Sequence, residues 1–366
     1  MNVEQVRPQN RSLILKYINR AGSSSRKEIA AATGLTPASV TQITTALIAE
    51  GILREAEAVS RSSGGRGRRE IPLTIEADRF LTYTINAEPD VTTVAVCDLM
   101  GNLVKDAAGE PLLRLLPTSR EDSPETFLHF LCDCCLGLSA RLPEEARNRI
   151  ENLSFAVTGL VDRENGVSDH AYGIWNEPVE VRRILETRLQ IPVVVENNVD
   201  AYAIAEMLFG IGREHDHLLL IKWGPGVGSS VVIDGHVYRG RHGKTAELGH
   251  MIVDPSGEPC VCGRRGCLET VASARALYRA EQQGGRQEAV DQFARCIVNA
   301  GTILAPDRIV LFGNLASNPV LREAVISSCK AYAPSFDGHR ILHTALGGKE
   351  HYIGPSALFT MKKIQS

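Results

Sequence analysis

The sequence predicts an α/β protein that begins with a winged helix-turn-helix. Before residue 76, helix-capping residues and glycine turns separate short segments with helical spacing. Beyond Glu76, apolar strand-like runs alternate with helical segments and end in polar or glycine-rich turns. This alternation is typical of layered α/β folds that bind ligands at the ends of their strands. The length of 366 residues and the 43% hydrophobic content allow two or three domains with cores of their own.

The amino-terminal segment contains the signals of two short helices that follow a longer one. The longer helix is predicted from the apolar spacing of Leu13, Ile14, Tyr17 and Ile18. After a stop at Gly22, Ser25 precedes Glu28 by three residues, as in a capping box, and Gly34 predicts the turn that ends this second helix. A helix, a glycine turn and another helix are the parts of a helix-turn-helix.

The third helix is predicted to begin with Thr36 as N-cap and Pro37 at its first position. Its apolar stripe consists of Val40, Ile43, Leu47 and Ile48. The opposite face carries small polar residues that could meet base edges in a major groove, namely Ser39, Thr41, Gln42 and Thr45.

A basic wing is predicted to follow. Strand-like segments at 51–55 and 69–73 flank a glycine-rich stretch. That stretch and its boundary carry four arginines suited to phosphate or minor-groove contacts, Arg61, Arg66, Arg68 and Arg69. Residues 1–70 contain 11 Lys and Arg against six Asp and Glu, while the whole chain has a net charge of −3. The wing and the helices together favour DNA binding, although a charged linker and a protein-contact module are the alternatives.

A cluster of His250, Cys260, Cys262 and Cys267 predicts a metal site. One imidazole and three thiolates form a complete ligand set for tetrahedral structural Zn²⁺, and glycines at 257, 263 and 266 permit the chain to fold back. Buried thiols and a disulfide are the alternatives. The nine cysteines occur without a secretion signal, which favours a reducing cytoplasm over disulfides. The C-D-C-C run at 132–135 is interpreted as helix packing.

Two carboxylates flank this cluster. Glu247 and Glu269 are not needed by a metal that His and Cys already saturate, so they are candidates for accepting hydrogen bonds from hydroxyl groups. Taken alone, either glutamate would more simply be a solvated loop charge.

The stretch as a whole resembles the signature of the ROK family of bacterial repressors and sugar kinases. G-K-T-A-E-L-G-H at 243–250 resembles the family's E-x-G-H sugar motif, and C-V-C-G-R-R-G-C-L-E at 260–269 resembles its zinc motif. The resemblance implies a two-lobed actin-like (ribonuclease-H-like) ATPase fold behind the head, with a sugar between the lobes. It also implies that Glu247, His250 and Glu269 hold sugar hydroxyls and that His250 serves the zinc as well, with one ring nitrogen for each role.

The parts that a family kinase needs are altered here. Asn86 stands where the resemblance places the Asp of the first phosphate loop, and Asn198 stands where it places the general base. An amide cannot accept a proton from the attacking hydroxyl. Asp200 is an unfavourable substitute, because two helical residues turn its side chain roughly 200° away. The glycine loop at 224–228 persists, but alone it is weak evidence for ATP binding.

The sugar-binding groups persist more completely. Asn197 matches the family's hydroxyl-binding Asn, Asn198 can still donate to a hydroxyl, and Gly159 lies in a segment that resembles the family's sugar-lining turn. Trp175 is either an aromatic at the pocket mouth or a core residue.

The expected function is that of a cytoplasmic, sugar-responsive ROK regulator, most simply a repressor, without catalytic residues. The expected partners are operator DNA, a sugar effector and further copies of the chain in a homodimer or homotetramer, without membrane insertion; a sugar-transport protein is a possible further partner. The alternatives are a sugar kinase with an appended head and a regulator controlled by a protein. Expected domains are a head at 1–76, a first lobe at 77–196 rejoined by about 345–366, and a second lobe at 197–344.

Overall fold

The computed structural model describes residues 3–56, 71–240 and 245–365. The head comprises three helices and a small three-stranded sheet: α1 Val3–Ala21, β1 Ser24–Ser25, α2 Arg26–Thr33, α3 Pro37–Ala49, β2 Leu53–Glu55 and β3 Pro72–Ile75. Ser25 and Glu28 form the predicted capping box, Gly34 ends α2 with a φ of 69°, and the Thr36 hydroxyl caps α3. Strands β2 and β3 are antiparallel, which confirms the predicted strand pair of a wing. Within these ranges the structure shows no helix long and apolar enough to span a membrane.

The first lobe is built on a five-stranded sheet. Its elements are β4 Leu81–Ala87, β5 Val91–Asp98, β6 Leu113–Pro117, α4 Pro124–Ser139, α5 Glu144–Arg147, β7 Ile150–Val157, β8 Leu160–Asp162, β9 Val167–His170, α6 Val181–Leu189 and β10 Val193–Asn197. The strand order is β10-β7-β4-β5-β6, with β8 and β9 in a separate ribbon. Strands β4 and β5 are antiparallel and form a hairpin around residues 88–90.

The second lobe repeats this topology after one connecting helix. The connecting helix is α7 Asn198–Phe209, and the lobe comprises β11 Leu218–Trp223, β12 Val227–Ile233, β13 His236–Val237, α8 Glu269–Ala272, α9 Ala274–Gln282, α10 Arg286–Leu304, β14 Arg308–Phe312, α11 Pro319–Tyr332 and β15 Ile341–His343. Helix α12 Ile353–Gln365 follows and returns to the first lobe, where it packs against β4 and β7. The strand order is β13-β12-β11-β14-β15. In both lobes an antiparallel three-strand meander continues into two parallel strands, so the sheets are topological copies.

The ends of these strands form the cleft between the lobes. Parallel strands β4, β7 and β10 end at Ala87, Val157 and Asn197, and the segments that follow them line one wall. The turn between β11 and β12 and the loop after β14 line the other. Side chains widely separated in sequence therefore meet in one cleft, as expected for ligand sites of α/β folds.

The head shares a hydrophobic core with the lobes. Ile14 and Ile18 of α1 belong to the same contiguous buried cluster as Leu208 of α7 and Phe359 of α12. Helix α12 packs on α1, α7, β4 and β7. The orientation of the head is thus fixed by packing against two helices of the lobes.

Candidate functional site

The four predicted metal ligands converge in the structure. The chain folds back between Met251 and Leu268, with bridges from Ile252 to Cys267 and from Pro259 to Arg265. Gly266 is required at the return, because its φ is 64° and a Cβ there would lie 1.4 Å from the carbonyl oxygen of Asp254.

The ligand atoms of His250, Cys260, Cys262 and Cys267 all lie within 4.8 Å of one another. The Cys262 and Cys267 sulfurs are 3.6 Å apart, and the Cys260 sulfur is 3.5 Å from Nδ1 of His250. A tetrahedral zinc with Zn–S bonds of about 2.3 Å separates its sulfur ligands by about 3.8 Å. The donor set and its spacing therefore fit a metal ion, and the cysteines at 132, 134 and 135 are instead buried in the core of the first lobe.

His250 presents its two ring nitrogens to different groups. Nδ1 faces the thiols, while Nε2 lies 3.8 Å from a carboxylate oxygen of Glu247, and both residues line the cleft. The ring of Tyr172 meets the imidazole edge to face at a centroid distance of 5.9 Å. A metal held at Nδ1 would orient Nε2 toward the cleft.

Glu269 is the second flanking carboxylate in the cleft. It lies at the start of α8, and its Oε2 accepts a hydrogen bond of 2.9 Å from the backbone N–H of Val227. The same oxygen would lie 2.7 Å from a Cβ at residue 226, so a side chain there would displace this carboxylate. Glu269 is thereby fixed against the glycine loop at 224–228.

Asn197 connects the two predicted sugar-lining segments. Its Oδ1 accepts from the backbone N–H groups of Val199 and Asp200, and so caps α7, while its Nδ2 donates to the Gly159 carbonyl at 2.7 Å. Gly159 has a φ of 96°, and a Cβ there would lie 2.1 Å from the His170 carbonyl oxygen. The predicted sugar residues Gly159, Asn197, Asn198, Glu247, His250 and Glu269 all line one cleft of about 1010 Å³.

Asn86 and Asn198, which are predicted to replace acidic residues of a family kinase, meet at one carboxylate. Oε1 of Glu88 accepts hydrogen bonds from Nδ2 of Asn86 at 3.1 Å and from Nδ2 of Asn198 at 3.4 Å. Its Oε2 forms an ion pair of 2.6 Å with Nζ of Lys222, which projects from β11 of the other lobe. Sequence reasoning did not identify Glu88 or Lys222, because no local motif connects residues 134 positions apart.

Asp200 also lines the cleft, contrary to the expectation that the helix turns it away. The cleft extends along two sides of the first turn of α7, so Asn198 reaches Glu88 while Asp200 accepts a hydrogen bond of 2.6 Å from Ser230 of β12. Burial, together with the neighbouring Glu196 carboxylate, raises the pKa of Asp200 to about 6.

Trp175 is a core residue and does not line the cleft. It is 6% exposed, donates from Nε1 to Ser168 and belongs to the buried cluster of the first lobe. Tyr172, three residues earlier, lines the cleft instead. Tyr172 and Trp175 lie on either side of Gly173, whose φ is 77°, and the motif alone does not indicate which of the two aromatic side chains faces the cleft.

The predicted recognition helix exposes most of its polar face. Thr41, Gln42 and Thr45 are exposed, and the Ser39 hydroxyl lies 3.0 Å from the capping hydroxyl of Thr36. Ser39 is therefore partly committed to the helix N-terminus. The predicted wing arginines Arg61, Arg66, Arg68 and Arg69 lie outside the described residues.

Comparison with known proteins places this architecture in a family. Residues 90–292 match the model of the ROK family, and residues 8–54 match a winged helix-turn-helix DNA-binding model. The chain is 25% identical to the xylose repressor of Bacillus spizizenii over 96% of its own length and 95% of that protein. A ROK family transcriptional regulator, described as a homolog of the Escherichia coli MLC protein, superimposes with a TM-score of 0.74 at 22% identity, covering 98% of each chain.

A ROK hexokinase from Thermus thermophilus superimposes with a TM-score of 0.61 at 25% identity. It is covered completely by 78% of this chain, so the remainder has no counterpart in it. The chain belongs to the ROK family and combines the family's two lobes with a winged helix-turn-helix head, as its transcriptional repressors do.

Proposed function

We propose that this chain is a transcriptional repressor whose operator binding responds to a sugar held between its lobes, and that it does not phosphorylate the sugar. The observation that carries the proposal is the position of α7. Its first turn lines the cleft, and its last turn holds the head.

The cleft supports sugar binding through its polar lining. The second N–H of the Asn197 amide, the Asn198 amide, the carboxylates of Glu247 and Glu269 and the imidazole of His250 supply donors and acceptors for several hydroxyl groups. The cysteines and Nδ1 of His250 would hold a structural Zn²⁺, whose role is to stabilise the loop that carries these groups. The repressor that matches over 96% of the chain is named for a sugar, xylose.

The same cleft argues against phosphoryl transfer. Asn198 cannot take a proton, and the nearest carboxylate, Glu88, is held in an ion pair with Lys222. A fixed anion at this point also opposes the approach of nucleotide phosphates, which phosphoryl transfer requires to be stabilised by positive groups.

Helix α7 gives the sugar a physical connection to the head. Its 12 residues span about 18 Å from the cleft to Phe209. At the far end, the buried Nδ2 of Asn19 donates to the Leu208 carbonyl at 2.5 Å, and Arg213 donates to the carbonyls of Asn19 and Arg20. A sugar that favours one position of α7 therefore changes the placement of α1 and the helices packed on it. In a homodimer or homotetramer, this would alter the spacing of paired heads, which should match operator half-sites about one helical turn or a multiple apart.

The proposal is tested by selecting operator duplexes from a random library with the full-length chain and titrating them with xylose, glucose and N-acetylglucosamine. We expect palindromic sequences and a change of operator Kd of about tenfold with one of these sugars. A coupled assay on the same sugars with ATP should show no ADP formation. ADP formation that Asn198→Ala abolishes would instead establish a kinase, and a selected operator that ignores every sugar would favour control by a protein partner.

A further inference from the structure

Glu88 occupies the junction of two cavities. It follows β4, where it lines both the large cleft and a neighbouring cavity of about 440 Å³ beside Phe312 and His351. Asn198 and Lys222 line both cavities as well. Any group bound against Asn198 therefore meets the Glu88 carboxylate.

Glu88 is anionic, and the neighbouring cation, Lys222, is already paired with it. Burial alone would raise the pKa of Glu88, but the Lys222 ammonium and the amide of Asn86 hold it below its usual value. The side chains of Glu88 and Lys222 are only 21% and 17% exposed, so solvent screens this pair weakly.

The other cations of the described cleft lining offer little compensation for a second anion. Arg120 is paired with Asp90 at 3.0 Å, and Arg163 and Arg239 lie 3.4 and 2.8 Å from the same carboxylate, Glu196. Arg275 is exposed at the edge of the cleft. In this lining, nine carboxylates face five Lys and Arg side chains.

We propose that Glu88 makes the cleft selective for sugars whose hydroxyl at Asn198 is free, and excludes sugars that carry a phosphate there. This inference rests on the proposed sugar-binding function. Because Asn198 occupies the general-base position, the hydroxyl facing it is the one that a family kinase would phosphorylate. A free hydroxyl there can accept from the Asn198 amide and donate to Glu88, whereas a phosphate would bring a charge of about −1.5 to −2 against the carboxylate.

The test compares free sugars with their 6-phosphates on the wild-type chain and on Glu88→Gln. Binding of glucose, N-acetylglucosamine, glucose 6-phosphate and N-acetylglucosamine 6-phosphate is measured by calorimetry, together with xylose and inorganic phosphate. We expect the wild type to bind a free hexose at least about tenfold more tightly than its phosphate. Glu88→Gln removes the anion and frees Lys222 from its ion pair. The preference for the free hexose over its phosphate should therefore decrease or reverse in this variant.

The control is Asp133→Asn, which neutralises another carboxylate that is paired with an arginine, Arg188 at 2.8 Å, but lies exposed on α4. Asp133→Asn should leave the preference for the free sugar over its phosphate unchanged. A wild-type preference for the sugar phosphate, or an unchanged ratio in a folded Glu88→Gln, would overturn the inference while leaving sugar sensing intact. If xylose and all the other probes fail to bind at millimolar concentrations, the proposed function fails and this inference fails with it.

Discussion

At the scale of residues, the cleft partly buries charged side chains, and burial shifts their pKa values. Asp200 is the clearest case, because its carboxylate is enclosed near Glu196 and has a pKa of about 6, above the ordinary value of 3.8. The native chain therefore binds this proton more strongly than the unfolded chain. Stability contributed by the protonated carboxyl is present at low pH and is lost as the pH rises from about 4 through 6.

We therefore predict that Asp200→Asn raises the free energy of unfolding by about 1–2 kcal/mol at pH 7, and that the gain shrinks toward zero below pH 4. An asparagine Oδ1 can keep the hydrogen bond from Ser230. Urea unfolding at several pH values measures the effect. The exposed Asp133→Asn should show no such pH-dependent gain, and a destabilised Asp200→Asn at pH 7 would contradict the assignment.

At the scale of elements, the helices of the head could be predicted from capping residues close in sequence. The cleft could not, because its contacts join residues that are far apart in the chain. Ser25, Glu28, Thr36 and Gly34 determine helix ends through hydrogen bonds and backbone conformation within four residues, so sequence reading located α2 and α3. The four predicted metal ligands also lie close together in sequence. Glu88 could not be predicted from the sequence, because its ion pair forms only when the end of β4 meets Lys222 of β11 in the folded chain.

Helix α7 is the element that we expect to carry the signal. We predict that Asn19→Ala, which removes the hydrogen bond to Leu208, leaves operator binding without sugar within about threefold and reduces the sugar-induced change in operator Kd by at least half. The recognition helix α3 is untouched, so the basal affinity should persist. Fluorescence anisotropy on the selected operator, with and without sugar, measures both quantities.

Asn152→Ala is the matched control for this variant. Asn152 is similarly buried and its Nδ2 donates to Ser154, but it lies on β7. Both substitutions should lower stability by about 1 kcal/mol. A full sugar response in Asn19→Ala, or an equal loss in Asn152→Ala, would show that this contact does not transmit the signal.

At the scale of the whole molecule, the two lobes share a topology, and their strand ends create a site that neither lobe contains alone. The first lobe supplies Gly159 and Asn197, and the second supplies Glu247, His250 and Glu269. The resemblance indicated this pairing, whereas strand periodicity alone could not, because it does not specify how two sheets face each other. The head lies at the opposite end of α7 from the loop that carries the predicted metal ligands. A substitution in that loop should therefore affect sugar binding without affecting operator binding.

We predict that removing the metal abolishes sugar sensing before it abolishes DNA binding. In Cys262→Ser, the loop that carries Glu247, His250 and Glu269 would lose one of the four ligands proposed for a Zn²⁺ ion, so the Kd for the sugar should rise at least about tenfold. Operator binding without sugar should change less than about threefold, because α1 of the head packs on α7 and α12, away from this loop. Metal content, sugar calorimetry and operator anisotropy are measured on the same preparation.

Cys296→Ser, at a buried cysteine of α10 outside the cluster, should retain metal and sugar binding. Unchanged sugar affinity in a Cys262→Ser chain that has lost its metal would show that the loop orders these side chains without an ion.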